Sequence, residues 1–176
     1  MQKNLEIRLS GSGGQGLILA AGILSSAMIA KGMNVSQSQS YEPTSRGGLS
    51  RSDLVISEDK VDYPLVSALD YAVILHQVAV ADCDGYLRDS AIVITDSKLV
   101  GEPPKGKFKL VELPILETAI KLGNRRVANT IALAALTALG GLCERELLEE
   151  MVADRSPPAF ADLNKEALAT GWAMSA

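Results

Sequence analysis

Apolar and polar positions alternate through Leu5, Ile7 and Leu9, and this two-residue period predicts a first strand. Glycines interrupt the pattern directly afterwards. From Leu17 to Lys31 nearly every position is apolar, which predicts a helix buried on more than one face. Gly32 stands where a helix C-cap belongs. A second short strand is expected over residues 33–37, which completes a βαβ unit. Residues 38–48 are polar and carry turn formers, so a loop is expected there. Residues 50–57 read as a third strand closed by the charged turn Glu58–Lys60. No helical stretch separates strands two and three, so a hairpin-like return is expected and the sheet becomes mixed.

The uninterrupted run DYAVIL over 70–75 fits a central strand covered on both faces. A short helix is expected over 77–88, a buried strand over 91–95, a loop over 100–107 and a last strand over 108–112. Beyond Pro114 the pattern is helical. One helix over 115–122 is stopped by Gly123. A long one over 125–139 is N-capped by Asn124 and stopped by Gly140-Gly141. An amphipathic helix follows over 144–153, and a final one over 160–170 after the break at Ser156-Pro157-Pro158. The expected fold is therefore α/β: a Rossmann-like three-layer α/β/α domain over residues 1–176, with a mostly parallel, mixed sheet and a helical C-terminal part.

Composition narrows the functional classes. At 176 residues the chain suffices for one domain. Hydrophobic residues make up 47% but aromatics only 4%, so Ala, Val, Ile and Leu must build the core. This apolar richness suggests a surface buried against a partner, or self-association of the isolated chain. With 17 basic and 21 acidic residues the net charge is −4, which gives no electrostatic footprint for nucleic acid. Cys83 and Cys143 form no C-x-x-C pair, and His76 is the one histidine. No zinc or iron–sulfur site can be assembled from these, and two isolated thiols suit a reducing cytosol. The opening residues alternate with charges, unlike a signal peptide, and the longest apolar run is too short for a bilayer. A cytoplasmic protein without membrane contact is expected.

Gly11, Gly13 and Gly16 fit G-x-G-x-x-G between a strand and a helix, with Gly14 and Gln15 inside the loop. Such a loop permits a tight turn, close backbone approach to a ligand and close helix packing, and the helix start favours an anion. A dinucleotide site also places an acid at the tip of strand two. Here that tip reads Val35-Ser36-Gln37-Ser38, without acid or arginine. Three readings stay open: NAD or FAD binding, a tight βα junction only, or binding of some other anionic group. The loop SYEPTSRGG adds Arg46 beside Gly47 and Gly48, a guanidinium suited to two-pronged recognition of carboxylate or phosphate. Both loops leave the C-terminal ends of strands and should open on one sheet edge. Arg125 and Arg126 occupy a first helical turn, where cations oppose the dipole unless an anion is near. Asn129, inside an apolar stretch, requires hydrogen-bond partners. His76, at a strand end, reads as structural.

GSGGQG after the first strand, SYEPTSRGG before an alternating strand, Asp70 opening DYAVIL, and GNRRVANTIALAAL occur here in one order. Together with the late DLNKEALATGW helix, they resemble the gamma subunit of 2-oxoacid:ferredoxin oxidoreductases, the 2-oxoglutarate type most of all, with pyruvate, ketoisovalerate and indolepyruvate relatives. Family members often read Y-G-P-E-x-R-G-G where this chain has Glu42 and Thr44. The resemblance implies a subunit of a complex that oxidatively decarboxylates a 2-oxoacid to its coenzyme A ester and passes electrons to ferredoxin. Thiamine diphosphate and iron–sulfur clusters would sit on partner subunits: thiamine-binding alpha and beta chains and a ferredoxin-like chain. This chain alone would bind none of them. A coenzyme A contact is expected at Gly11, Gly13, Gly14, Gln15, Gly16, Arg46, Gly47 and Gly48, with Arg125 and Arg126 as further candidates. A freestanding dinucleotide-binding oxidoreductase and a purely structural subunit are the alternatives.

Overall fold

The computed structural model describes residues 4–42 and 47–175. Within them, six strands form one sheet in the order β2-β3-β1-β4-β5-β6. They are β1 (Leu5–Ser12), β2 (Asn34–Tyr41), β3 (Leu49–Ser57), β4 (Leu69–Ile74), β5 (Leu87–Asp96) and β6 (Lys109–Leu113). β1, β4, β5 and β6 pair in parallel, while β3 runs antiparallel to both β1 and β2. The mixed sheet expected from the missing crossover is thus present, with β3 as the one reversed strand. The first βαβ unit is split, because β3 lies between β1 and β2.

Helix α1 (Leu17–Ala30) joins β1 to β2. Its apolar positions pack in the larger core cluster with Ile7 and Leu9 of β1. The same cluster holds residues of α3 (Ile115–Lys121), α4 (Ala128–Gly140), α5 (Arg145–Asp154) and α6 (Ala161–Ala173), so these helices share one face of the sheet. The opposite face has a thinner cover. A 3-10 turn (Gln77–Ala79), the short α2 (Val80–Cys83) and loop residues Val66 and Val100 enclose Val55, Ala72, Ile74 and Val93. The result is the three-layer α/β/α arrangement, with one thick helical layer and one thin one. None of the described helices is long and apolar enough to cross a membrane.

Three expectations change. Residues 38–41, read as loop, continue β2: paired to β3 on one side only, this edge strand meets solvent and needs no apolar residues. The helix expected over 77–88 ends at Cys83. Gly85 then adopts a left-handed conformation, φ 81°, and β5 begins at Leu87. The long helix expected from Arg125 opens as a 3-10 turn (Arg125–Val127) before α4, with the Asn124 side chain accepting the Arg126 N–H.

A buried ionic cluster joins the thin layer to the sheet. Arg8 of β1 is 1% exposed and gives both forks of its guanidinium to Asp53 of β3, at 2.8 and 2.9 Å. It also reaches Asp82 of α2 at 3.3 Å and lies 4.7 Å from the centre of the Tyr86 ring. Burial alone would lower the Arg8 pKa, but hydrogen bonding and charge from Asp53, reinforced by Asp82, raise it above its ordinary value.

Candidate functional site at the sheet switch point

The connection leaving β1 passes over one face of the sheet through α1, and the connection leaving neighbouring β4 passes over the other through α2. Open α/β folds bind ligands where such connections diverge, outside the C-terminal ends of the strands. A cleft of about 430 Å³ opens there, floored by Ser12, Gly13, Gly14 and Gln15 after β1 and by Leu75 and His76 after β4. Asp96 at the end of β5 and Asn124, Arg125 and Arg126 before α4 complete its walls.

The glycine loop is shaped by its neighbours. Gly16 caps α1 in a left-handed conformation, φ 72°, and no side chain caps that helix. The early N–H groups of α1 therefore have no intrahelical acceptor. Gly14 is also left-handed, φ 89°, and both Gly13 and Gly14 are exposed to the cleft. Gln15 turns inward. Its Oε1 accepts the Ser12 N–H at 2.7 Å, and its Nε2 donates to the Leu75 carbonyl at 3.0 Å. A side chain at Gly11 would collide with that amide, which accounts for glycine there. The buried Asn129 on α4 donates from Nδ2 to the Gly16 carbonyl at 3.2 Å, so its partner lies within this chain. It holds the arginine-bearing turn against the glycine loop.

The second loop touches the first. The Gly13 N–H donates to the Gly48 carbonyl at 2.9 Å, and Gly47 is exposed with φ 78°. Arg46 lies outside the described residues. Glu42, which departs from the family pattern, closes the start of β3 by accepting the Leu49 N–H at 3.1 Å.

Arg125 and Arg126 are exposed and line the same cleft. The single carboxylate among the lining residues is Asp96, 1% exposed. Its Oδ1 accepts the N–H groups of Lys98 and Leu99, and its Oδ2 accepts that of Leu116 at 2.6 Å. It thereby fixes the start of α3. Three donors offset its charge, so the cleft is cationic within an acidic chain. The sequence reading did not single out Asp96. Its signal was an acid at the end of a buried strand followed by Ser-Lys, a turn former that captures nearby N–H groups. The structure thus gathers Gly13, Gly14, Gln15, Arg125 and Arg126 into one cleft, with Gly48 against its rim. Gly11 and Gly16 shape the loop from behind.

Neither cysteine enters this site. Cys83 is buried beneath the sheet with its Sγ 3.6 Å from Ser10 Oγ, and burial raises its thiol pKa. Cys143 is buried elsewhere in the fold. No cluster of metal-ligating side chains occurs among the described residues.

Fold and cleft together define a Rossmann-like α/β protein with an arginine-lined crevice at its switch point. The chain belongs to the pyruvate ferredoxin/flavodoxin oxidoreductase family, whose profile matches residues 6–174. It is 37% identical over 175 residues to the 2-oxoglutarate synthase subunit KorC of Archaeoglobus fulgidus, covering 99% of this chain and 89% of that one. The KorC subunit of Methanocaldococcus jannaschii is 35% identical, with 97% and 93% covered. The keto/oxoacid ferredoxin oxidoreductase gamma subunit of Geobacter sulfurreducens superposes with a TM-score of 0.85 at 37% identity, covering 97% of this chain and 98% of that one. The 2-oxoglutarate:ferredoxin oxidoreductase of Magnetococcus marinus, solved with 2-oxoglutarate, coenzyme A and succinyl-CoA bound, shares the fold. Its TM-score is 0.88 at 22% identity, over 99% of this chain and 31% of that one.

Proposed function

We propose that this chain is the gamma-type subunit of a 2-oxoacid:ferredoxin oxidoreductase, with 2-oxoglutarate as the oxoacid, and that its cleft holds phosphate groups of coenzyme A. The observation that carries the reading is that the exposed backbone of Gly13 and Gly14, just before α1, lines one crevice together with Arg125 and Arg126. Backbone donors and guanidinium groups lining one cleft suit an anionic group with several oxygens. The 37% identity to a 2-oxoglutarate synthase subunit across nearly the whole chain supports the choice of reaction. In that reaction the 2-oxoacid loses carbon dioxide, its acyl group joins the coenzyme A sulfur, and two electrons pass to ferredoxin.

The residues of this chain do not fit the remaining cofactors. Two separate buried cysteines cannot ligate an iron–sulfur cluster. Thiamine diphosphate requires a metal held by oxygen ligands, and the one carboxylate in the cleft is engaged by three backbone N–H groups. Those groups belong on thiamine-binding alpha and beta subunits and a ferredoxin-like subunit. This chain's part is to bind and orient coenzyme A beside a partner's reactive centre. Ile18, Leu19 and Ile29 of α1 are 40%, 46% and 57% exposed, an apolar surface suited to such partners.

The test is reconstitution with the partner subunits followed by 2-oxoglutarate-dependent viologen reduction. Arg126→Ala and Gly13→Val are expected to raise the KM for coenzyme A about tenfold or more, while the KM for 2-oxoglutarate stays as in the wild type. Unchanged coenzyme A dependence in both variants would remove the active-site role and leave a structural subunit.

A further inference from the structure

His76 stands half-buried at the end of β4 and lines the same cleft, yet nothing described so far uses its ring. Its Nδ1 accepts the Val78 N–H at 3.3 Å and so caps the 3-10 turn Gln77–Ala79. A ring nitrogen that accepts a hydrogen bond carries no proton, so the ring's donor is Nε2. The ring is thereby fixed in one tautomer and one orientation before any ligand arrives, which lowers the ordering cost of binding. Arg125, Arg126 and the exposed backbone of Gly13 and Gly14 line the same cleft, and its lone carboxylate is already engaged. An N–H donor in such a wall complements an oxyanion.

We propose that the His76 Nε2–H donates a hydrogen bond to a phosphate oxygen of the bound coenzyme A. It would form a third anchor between the glycine loop and the arginine pair. The inference rests on the reading of this cleft as a phosphate site. It separates His76 into two halves with different work: Nδ1 holds the fold, and Nε2 holds the ligand.

Two substitutions tell these halves apart. His76→Asn keeps a side-chain acceptor at the cap, where asparagine is favoured, but has no atom at the Nε2 position. His76→Gln can bring an amide N–H near the Nε2 position but gives up the short cap. Affinity for coenzyme A and for ADP, which shares its diphosphate, is measured by titration calorimetry on the full chain assembled with its partners. Thermal melting reports the cap. His76→Asn is expected to melt as the wild type and to bind both ligands about fivefold more weakly or worse, the loss of one hydrogen bond to a charged group. His76→Gln is expected to bind within about twofold of the wild type and to melt at a lower temperature. Wild-type affinity in His76→Asn, or equal weakening in both variants, overturns the role of Nε2 while leaving the cleft reading intact. A wild-type assembly that binds neither coenzyme A nor ADP overturns both together.

Discussion

Gln15 engages its whole side-chain amide inside the protein, with the Ser12 N–H on one atom and the Leu75 carbonyl on the other. It acts on a ligand through the loop it braces. Gln15→Leu is expected to destabilise the chain by about 1–3 kcal/mol, because two backbone groups lose their partners, and urea unfolding measures this. Gly16→Ala has two faults: a left-handed φ of 72° and a collision with the Asn129 amide. Its left-handed backbone alone costs about 1–2 kcal/mol, so a lowered urea midpoint and weaker coenzyme A binding are expected together. At this scale the sequence exposed the glycine spacing and the arginine pair. It did not expose where the Gln15 amide points, because Leu75 lies sixty positions further along. Nor did it show that Asn129 is the partner of Gly16, a contact between α4 and the start of α1.

Elements are held by a few polar and close contacts. Arg8, Asp53 and Asp82 tie β1, β3 and α2, and removing the cation takes the guanidinium from the buried Asp53, while Asp82 keeps Arg51. Arg8→Ala is expected to cost about 3–5 kcal/mol in chemical denaturation, the range for breaking a buried pair from one side. The thiol of Cys83 gives the thin layer a pH dependence. Burial raises its pKa when folded, so the folded chain holds that proton more tightly than the unfolded one. Stability is complete below the unfolded thiol pKa, about 8.5, and is lost as pH rises through it toward the folded value. Burial pushes Cys143 and Tyr71 the same way. Urea midpoints are expected to fall above about pH 8.5, with a shallower fall in Cys83→Ala. The hairpin of β2 and β3 was legible because no crossover helix lies between them. The full length of β2 was not, since an edge strand tolerates the Ser and Gln residues that elsewhere mark loops.

The whole molecule is built as a component. Its glycine-loop helix is apolar all round, which the sequence already showed, and the structure leaves Ile18, Leu19 and Ile29 open after the core is complete. Ile29→Glu is expected to leave the melting temperature of the isolated chain unchanged and to weaken co-purification with the partner subunits. Equal assembly of this variant would assign the partner surface elsewhere. The three-layer fold and the common edge for the two glycine loops were legible from where helices intervene, but the strand order was not, since β3 inserts between β1 and β2. The asymmetry of the two layers was not, since it depends on how short the segment after β4 becomes once Gly85 turns the chain.

The bond from the Gly13 N–H to the Gly48 carbonyl links two loops that belong to different strands. A displacement of Gly13 therefore breaks this bond or carries Gly48 with it, which makes the pair a latch between the two strand ends. The amide proton of Gly13 is consequently a gauge of that latch: its exchange with deuterated solvent slows when the pair is clamped and quickens when it parts.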